Sequence, residues 1–337
     1  MPFNQHIIDN PKSERVRRVA ELEKSKGRKK AGKFLIEGPQ SVREAVRWMP
    51  DVVEDCYVQM DERRDGLLSP VVEDIAREAD GQGLYIHQVT GDVMHRMSTD
   101  SQGIVAVGDL EAMKQRMSDE FETPQNREVS KNQADKTLAA FWQIRDPGNA
   151  GTVIRSADAA GCRAVIFVDD CVDRFNPKVI RSTAGSLFHL PVVTMGTDEL
   201  FTWAQAQELE VMAADVYGTE KVKPESLIDV VTESGHSSTG NGGNRSGRGN
   251  DALRHDGNDN IARSKPDDEN AANQSKRTSR VILFGNEARG LPHDVLERVQ
   301  RIVSIPLYGK AESLNLATST SVMLFTLAMA RDAAKRQ

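Results

Sequence analysis

The sequence predicts an α/β protein in two units, a small mixed unit at the N-terminus and a larger one around a mostly parallel sheet. Three observations predict it. Short apolar runs alternate with segments of helical periodicity along nearly the whole chain. Later runs such as Val281-Ile282-Leu283-Phe284 are apolar at consecutive positions, as strands covered on both faces require. Polar stretches at 111–136 and 235–279 interrupt the alternation and read as a linker and an insertion.

In the first unit, residues 1–110, a basic helix leads to a strand at 34–36 and a helix through 41–46. A strand at 53–58, a helix near 70–77 and strands at 84–89 and 103–107 follow. In the second unit, 137–337, strands are expected at 138–142, 164–168, 191–195, 210–214, 281–284 and 301–305. A last helix over 314–333 is apolar nearly all round, which means burial within the fold or against a second subunit. The insertion holds seven Gly, seven Asn and six Ser, with Leu253 and Ile261 its only large apolar residues, and is expected to be disordered. Its GNGGNRSG run lacks a preceding strand and is no phosphate loop.

Composition narrows the function. A chain of 337 residues can form two domains, and its 38% hydrophobic content suits one with an unstructured part. No apolar run is long enough for a membrane span, and the opening residues show no signal core. Three cysteines without paired spacing point to a reduced, cytoplasmic setting, with the thiols packed as small apolar groups. Seven histidines form no ligand cluster, so no metal is expected. Net charge is −6, yet residues 12–33 hold ten Lys or Arg against three Glu. Arg28, Lys29, Lys30 and Lys33 in that run are candidate RNA phosphate contacts, or else part of a solvated helix face.

Three segments carry the chemistry. In QIRDPGNAGTVIRSADAAG, 143–161, Asn149 suits a helix N-cap, and Arg155 is a fixed cation in a small, apolar helix. In VILFGNEARG, 281–290, a buried strand ends abruptly in Gly285, Asn286 and Glu287; it also reads as an ordinary strand-to-helix loop. In IPLYGKAESLNLATSTSVMLFTLAMA, 305–330, a strand ends at Ile305-Pro306, and Ser313 or Asn315 can cap the last helix.

In order and spacing these segments resemble the three motifs of the SpoU–TrmH branch of the SPOUT methyltransferases. Asn149, Gly151 and Arg155 match the first, Gly285, Asn286, Glu287 and Gly290 the second, and Ile305, Pro306, Ser313, Leu314 and Asn315 the third. NPKVIRSTAGSLFHLPV, 176–192, looks like the family's intermediate segment. The first unit resembles, more loosely, an L30e-like RNA-binding domain through KAGKFLIEGPQSVREAV and STDSQGIVAVG. The resemblance implies a deep trefoil knot, a homodimer and S-adenosylmethionine as methyl donor, with Gly285, Asn286, Ile305 and Leu314 lining its pocket. It implies methylation of an RNA ribose 2′-hydroxyl, on ribosomal RNA ahead of transfer RNA, with Arg155, Asn149, Glu287, Asn315 and Ser313 as catalytic candidates. The family's arginine is held to help deprotonate the hydroxyl. A guanidinium is always protonated, so Arg155 is read here as stabilising phosphate or alkoxide charge, with Glu287 orienting it. A nucleotide-binding enzyme of the doubly wound type lacks its GxGxxG. A non-catalytic RNA-binding protein of this fold is the alternative from another class.

Overall fold

Most strands are buried at consecutive positions, so both sheets are covered on their two faces. The computed structural model describes residues 3–61, 63, 66–122, 137–236, 279–334 and 336. In the first unit the chain forms β1 (Phe3–Ile8), α1 (Glu14–Glu21), α2 (Ser25–Ala31), β2 (Lys33–Glu37), α3 (Pro39–Trp48) and β3 (Val53–Gln59). It continues through α4 (Pro70–Gly81), β4 (Tyr85–Val89), α5 (Gly91–Met97) and β5 (Ile104–Asp109). The sheet order is β1-β4-β3-β5-β2, with β5 antiparallel to β2 and β3. Phe34 and Ile36 of β2 point to one face and Leu35 to the other, as the strand period of two requires. α1 and α5 cover the Leu35 face with Val16, Val19, Val93 and Met94, while α3 and α4 cover the opposite face. β1 and α5 were not expected from the sequence.

Residues 110–122 correct one expectation. They form α6 (Leu110–Glu122), not a linker. One apolar residue per turn suffices: Leu110, Met113, Met117 and Phe121 are buried, and the polar remainder hides the stripe. The rest of the expected linker, 123–136, lies outside the described residues, as do residues 237–278 of the insertion.

The second unit runs β6 (Thr137–Trp142), α7 (Pro147–Ala159), β7 (Ala164–Val168), α8 (Pro177–Ser182), β8 (Val192–Met195), α9 (Thr197–Ala206) and β9 (Glu210–Ala214). Then come β10 (Pro224–Ser226), α10 (Leu227–His236), β11 (Arg280–Phe284), α12 (His293–Leu296), β12 (Arg301–Ser304) and α13 (Leu316–Ala334). The sheet order is β10-β12-β9-β11-β6-β7-β8, and every pair is parallel. Leu138, Ala140, Val281 and Leu283 face one apolar layer; Ala139, Phe141, Ile282 and Phe284 face the other. The sheet is therefore covered on both sides, which accounts for its unbroken apolar runs.

The two units share a core. Phe34, Ile36 and Val42 belong to the same buried cluster as Phe175, Val179 and Leu187, and the Phe34 and Phe175 rings lie 5.2 Å apart. Burial pushes the Cys56 and Cys162 thiols up to about 12, in keeping with packing as apolar groups. Among the described residues, no helix is long and apolar enough to cross a membrane.

Candidate functional site

The strand order creates the site. β6, β7 and β8 step outward in one direction, whereas β9 lies on the other side of β6, and β11 is inserted between the two. The order reverses there, where ligands collect beyond the carboxyl ends of strands. The loop after β6, the motif loop after β11 and the loop after β9 stand side by side, with the motif loop after β12 next to β9.

Asp146, not Asn149, caps α7. Its carboxylate accepts the backbone N–H of Asn149 at 2.7 Å, and Pro147 takes the first helical position. The side chain of Asn149 is thereby left for other work. Its amide donates to Glu287 Oε1 at 3.1 Å, and its oxygen accepts from the Asn315 amide at 3.3 Å. Asn315 is the cap of α13, which begins at Leu316: its oxygen accepts the backbone N–H groups of Ala317 and Thr318 at 2.9 and 3.4 Å. Only an oxygen can serve those donors, so the cap dictates which way Asn315 points and, through it, which way Asn149 points. One residue from each of the three segments enters a single hydrogen-bonded chain.

The second motif closes on itself. Asn286 and Gly290 exchange backbone hydrogen bonds of 3.1 and 2.9 Å, and the Asn286 amide donates to the Gln143 carbonyl at 2.8 Å. A Cβ on Gly285 would lie 2.4 Å from the Gly290 carbonyl carbon and 2.6 Å from the Leu291 nitrogen. The strand ends in glycine because its own returning loop crosses there. In the first motif, a Cβ on Gly151 would lie 2.3 Å from Ser182 Oγ, so that glycine lets α7 and α8 touch.

Other candidates are placed differently. Arg155 is exposed on α7. Six residues beyond Asn149, it is turned about 240° around the helix, and the hydrogen bond that Glu287 Oε1 accepts comes from Asn149. Ser313 is exposed; Ile305 and Leu314 are half-buried. Arg28, expected at an RNA surface, is 3% exposed. It donates to the Leu22 and Glu23 carbonyls at 3.0 and 2.9 Å and to Asp173 of the second unit at 2.5 Å. A buried guanidinium needs such partners, and satisfying them removes it from solvent. Lys33 pairs with Glu54. Lys29 and Lys30 remain exposed, and Lys30 lines a hollow of about 910 Å³ with Arg15, Arg17 and Arg18.

Sequence reasoning missed Asp146, whose signal was the Asp-Pro pair, and the loop after β9. That loop stands between both motif-bearing strands, and Asp215 approaches Gly290. Tyr217 in it and Tyr308 after β12 are 85% and 88% exposed.

Known proteins resemble this chain in sequence and in fold. The chain matches the SpoU rRNA methylase family over residues 136–233 and 249–325, and an MRM3-like substrate binding domain over 13–106. It is 28% identical to the 23S rRNA (guanosine(2553)-2′-O)-methyltransferase RlmP of Bacillus subtilis, over 95% of this chain and 98% of that one. It is 27% identical to a 23S rRNA (uridine(2479)-2′-O)-methyltransferase of Streptomyces viridochromogenes, over 55% of this chain and 50% of the other. The fold is shared with an AdoMet-bound rRNA methyltransferase from Sinorhizobium meliloti, at TM-score 0.63 and 23% identity over 98% of both chains. It is shared also with the SpoU methyltransferase AviRb from Streptomyces viridochromogenes, at TM-score 0.65 and 22% identity over 95% of this chain and 98% of that one. With three motifs joined at one sheet end and the family match spanning both sides of the insertion, the chain belongs to the SpoU rRNA methylase family.

Proposed function

We propose that this chain transfers a methyl group from S-adenosylmethionine to a ribose 2′-hydroxyl of ribosomal RNA, ahead of transfer RNA, and acts as a homodimer. One observation carries the reading: Glu287, Asn149 and Asn315 join all three motifs in one hydrogen-bonded chain at the carboxyl end of the sheet. Relatives named for 2′-O-methylation of 23S rRNA favour ribosomal RNA. The family match argues for an enzyme over a non-catalytic RNA-binding protein.

The residues fit the donor. S-adenosylmethionine combines apolar surface with a cationic sulfonium. Half-buried Ile305 and Leu314 offer apolar contact, and the Glu287 and Asp215 carboxylates suit the cation. Gly285, Asn286, Ile305 and Leu314 would hold it. Bound there, the donor supplies a methyl group already activated by the sulfonium. The chain's own contribution is alignment and charge. Asn149 and Asn315 each retain one amide N–H beyond the bonds named, free to meet ribose or phosphate oxygens, with exposed Ser313 beside them. Arg155 offsets the negative charge that develops on the hydroxyl oxygen as it takes the methyl group, the proton passing to water.

The open face of α13 supports the dimer. Leu316, Ala317, Met323 and Leu324 are buried in the fold, but Val322 and Met329 are 38% and 65% exposed. A second copy packed there would cover them. Unpaired, buried Cys56 and Cys162 suit a reducing, cytoplasmic setting. The exposed Lys29 and Lys30 serve RNA capture through phosphate contacts.

The test incubates the purified protein and methyl-labelled donor with ribosomal and transfer RNA, then maps the modified nucleotide. Label at one ribose of ribosomal RNA is expected. Donor binding without transfer to any RNA would leave a non-catalytic member of the family.

A further inference from the structure

The seam between the two units holds a histidine with a carboxylate on each side. His189 follows the 3-10 turn Ser186–Phe188 of the intermediate segment. Its Nδ1 lies 2.7 Å from Asp158 of α7, and its Nε2 lies 3.1 Å from Glu44 of α3. Carboxylates only accept, so a ring that serves both must donate from both nitrogens, which makes it an imidazolium. Trp48 meets the ring edge-on at 5.4 Å and donates its indole N–H to the same Glu44 oxygen at 3.1 Å. The approach is close: a Cβ on Gly185 would lie 2.3 Å from Glu44 Cγ, and Gly185 has φ +101°. The charged groups facing the ring are Glu44 from α3 and Asp158 from α7.

Asp158 stands one turn after Arg155 on the helix that also carries Asn149. We infer that His189, protonated, is a positioning residue that fastens the substrate-binding unit to α7, so that RNA is held by both units together. This rests on the methyl-transfer reading above. Arg28 with Asp173, and Arg181 with Glu37 and Asp100, reinforce the same seam, but arginines keep their charge at any working pH. His189 does not. The hydrogen bond to Asp158 raises its pKa above the ordinary 6.5, the one to Glu44 adds to this, and burial opposes both. The group is raised on folding, so its fastening is complete below about pH 6.5 and is lost as pH climbs through the elevated folded value.

The experiment compares the full-length protein with His189→Gln and Glu44→Gln, measuring methylation of ribosomal RNA from pH 6 to 9. Both variants should show a KM for RNA raised about tenfold at pH 6.5, the equivalent of one charge-assisted hydrogen bond. kcat should change less than about twofold and donor affinity not at all. With rising pH the wild-type KM should climb to meet theirs. Hydrogen-exchange protection factors over residues 186–190 should fall with pH in the wild type and stay flat in His189→Gln. Variants with wild-type KM and a wild-type pH profile would overturn the inference, as would pH-independent protection in the wild type. A wild type that transfers no methyl overturns the function reading instead, and the exchange measurement then decides the fastening by itself.

Discussion

Asn315 donates its side-chain amide to Asn149 at 3.3 Å, across 166 positions of sequence. The helix cap that sets Asn315 therefore also sets Asn149, and Glu287 completes the line. Changing Asn149→Asp would face the Glu287 carboxylate with a second one. Transfer should fall at least about tenfold at pH 8, roughly 1.4 kcal/mol, and partly recover on acidification, when one proton is shared. A pH–rate profile checks this; a loss independent of pH would mean that Glu287 does not sense residue 149.

Gly285→Ala is expected to destabilise the fold itself. The added Cβ meets the backbone of Gly290 and Leu291, which cannot yield as a flexible side chain would. A cost of about 2 kcal/mol or more should lower the melting temperature without any donor present. Substitution here does not test donor contact cleanly, because the loop would move first. An unshifted melting curve with lost donor binding would restore a purely ligand-directed glycine.

Arg28 and its neighbours should separate. Arg28→Ala leaves two carbonyls and Asp173 without their donor and should cost about 3 kcal/mol in urea unfolding. Replacing Lys29 and Lys30 by Gln should leave stability unchanged and reduce the salt slope of RNA binding by up to about two phosphate equivalents. The opposite pattern would put Arg28 back on an RNA surface.

Arg155→Ala is expected to lower kcat about a hundredfold, near 2.7 kcal/mol, with donor affinity unchanged in calorimetry. Lysine should restore little, since a point charge lacks the guanidinium's paired donors. Full activity in Arg155→Lys would refute that role.

Tyr308 is 88% exposed beside the third motif, a poor place for an aromatic ring without a partner. As a stacking platform for an unpaired base, Tyr308→Ala should raise the RNA KM about fivefold or more, while Tyr308→Phe should not. Equal effects of both changes would assign the loss to the hydroxyl.

The sequence by itself determined the strands at the centre of both sheets, the mostly parallel pairing of the second and the family, but not β1 or β10. Buried strands must be apolar at consecutive or alternate positions, and the three motifs keep their residues together in short, readable loops. It exposed α13 as a helix with too much apolar surface for one neighbour. It failed where the signal is sparse or the partner distant. Only four buried residues anchor α6, and their spacing is lost among polar ones. Arg28 read as one cation among ten, because Asp173 lies 145 positions away and only folding brings it near. Tertiary structure alone decided that Asn149 bridges two motifs and caps no helix. It decided that Gly285 yields to its own chain, and that Glu287 turns to Asn149. These are matters of which loops meet when β11 enters between β6 and β9, and local sequence carries no record of a crossing made hundreds of atoms later.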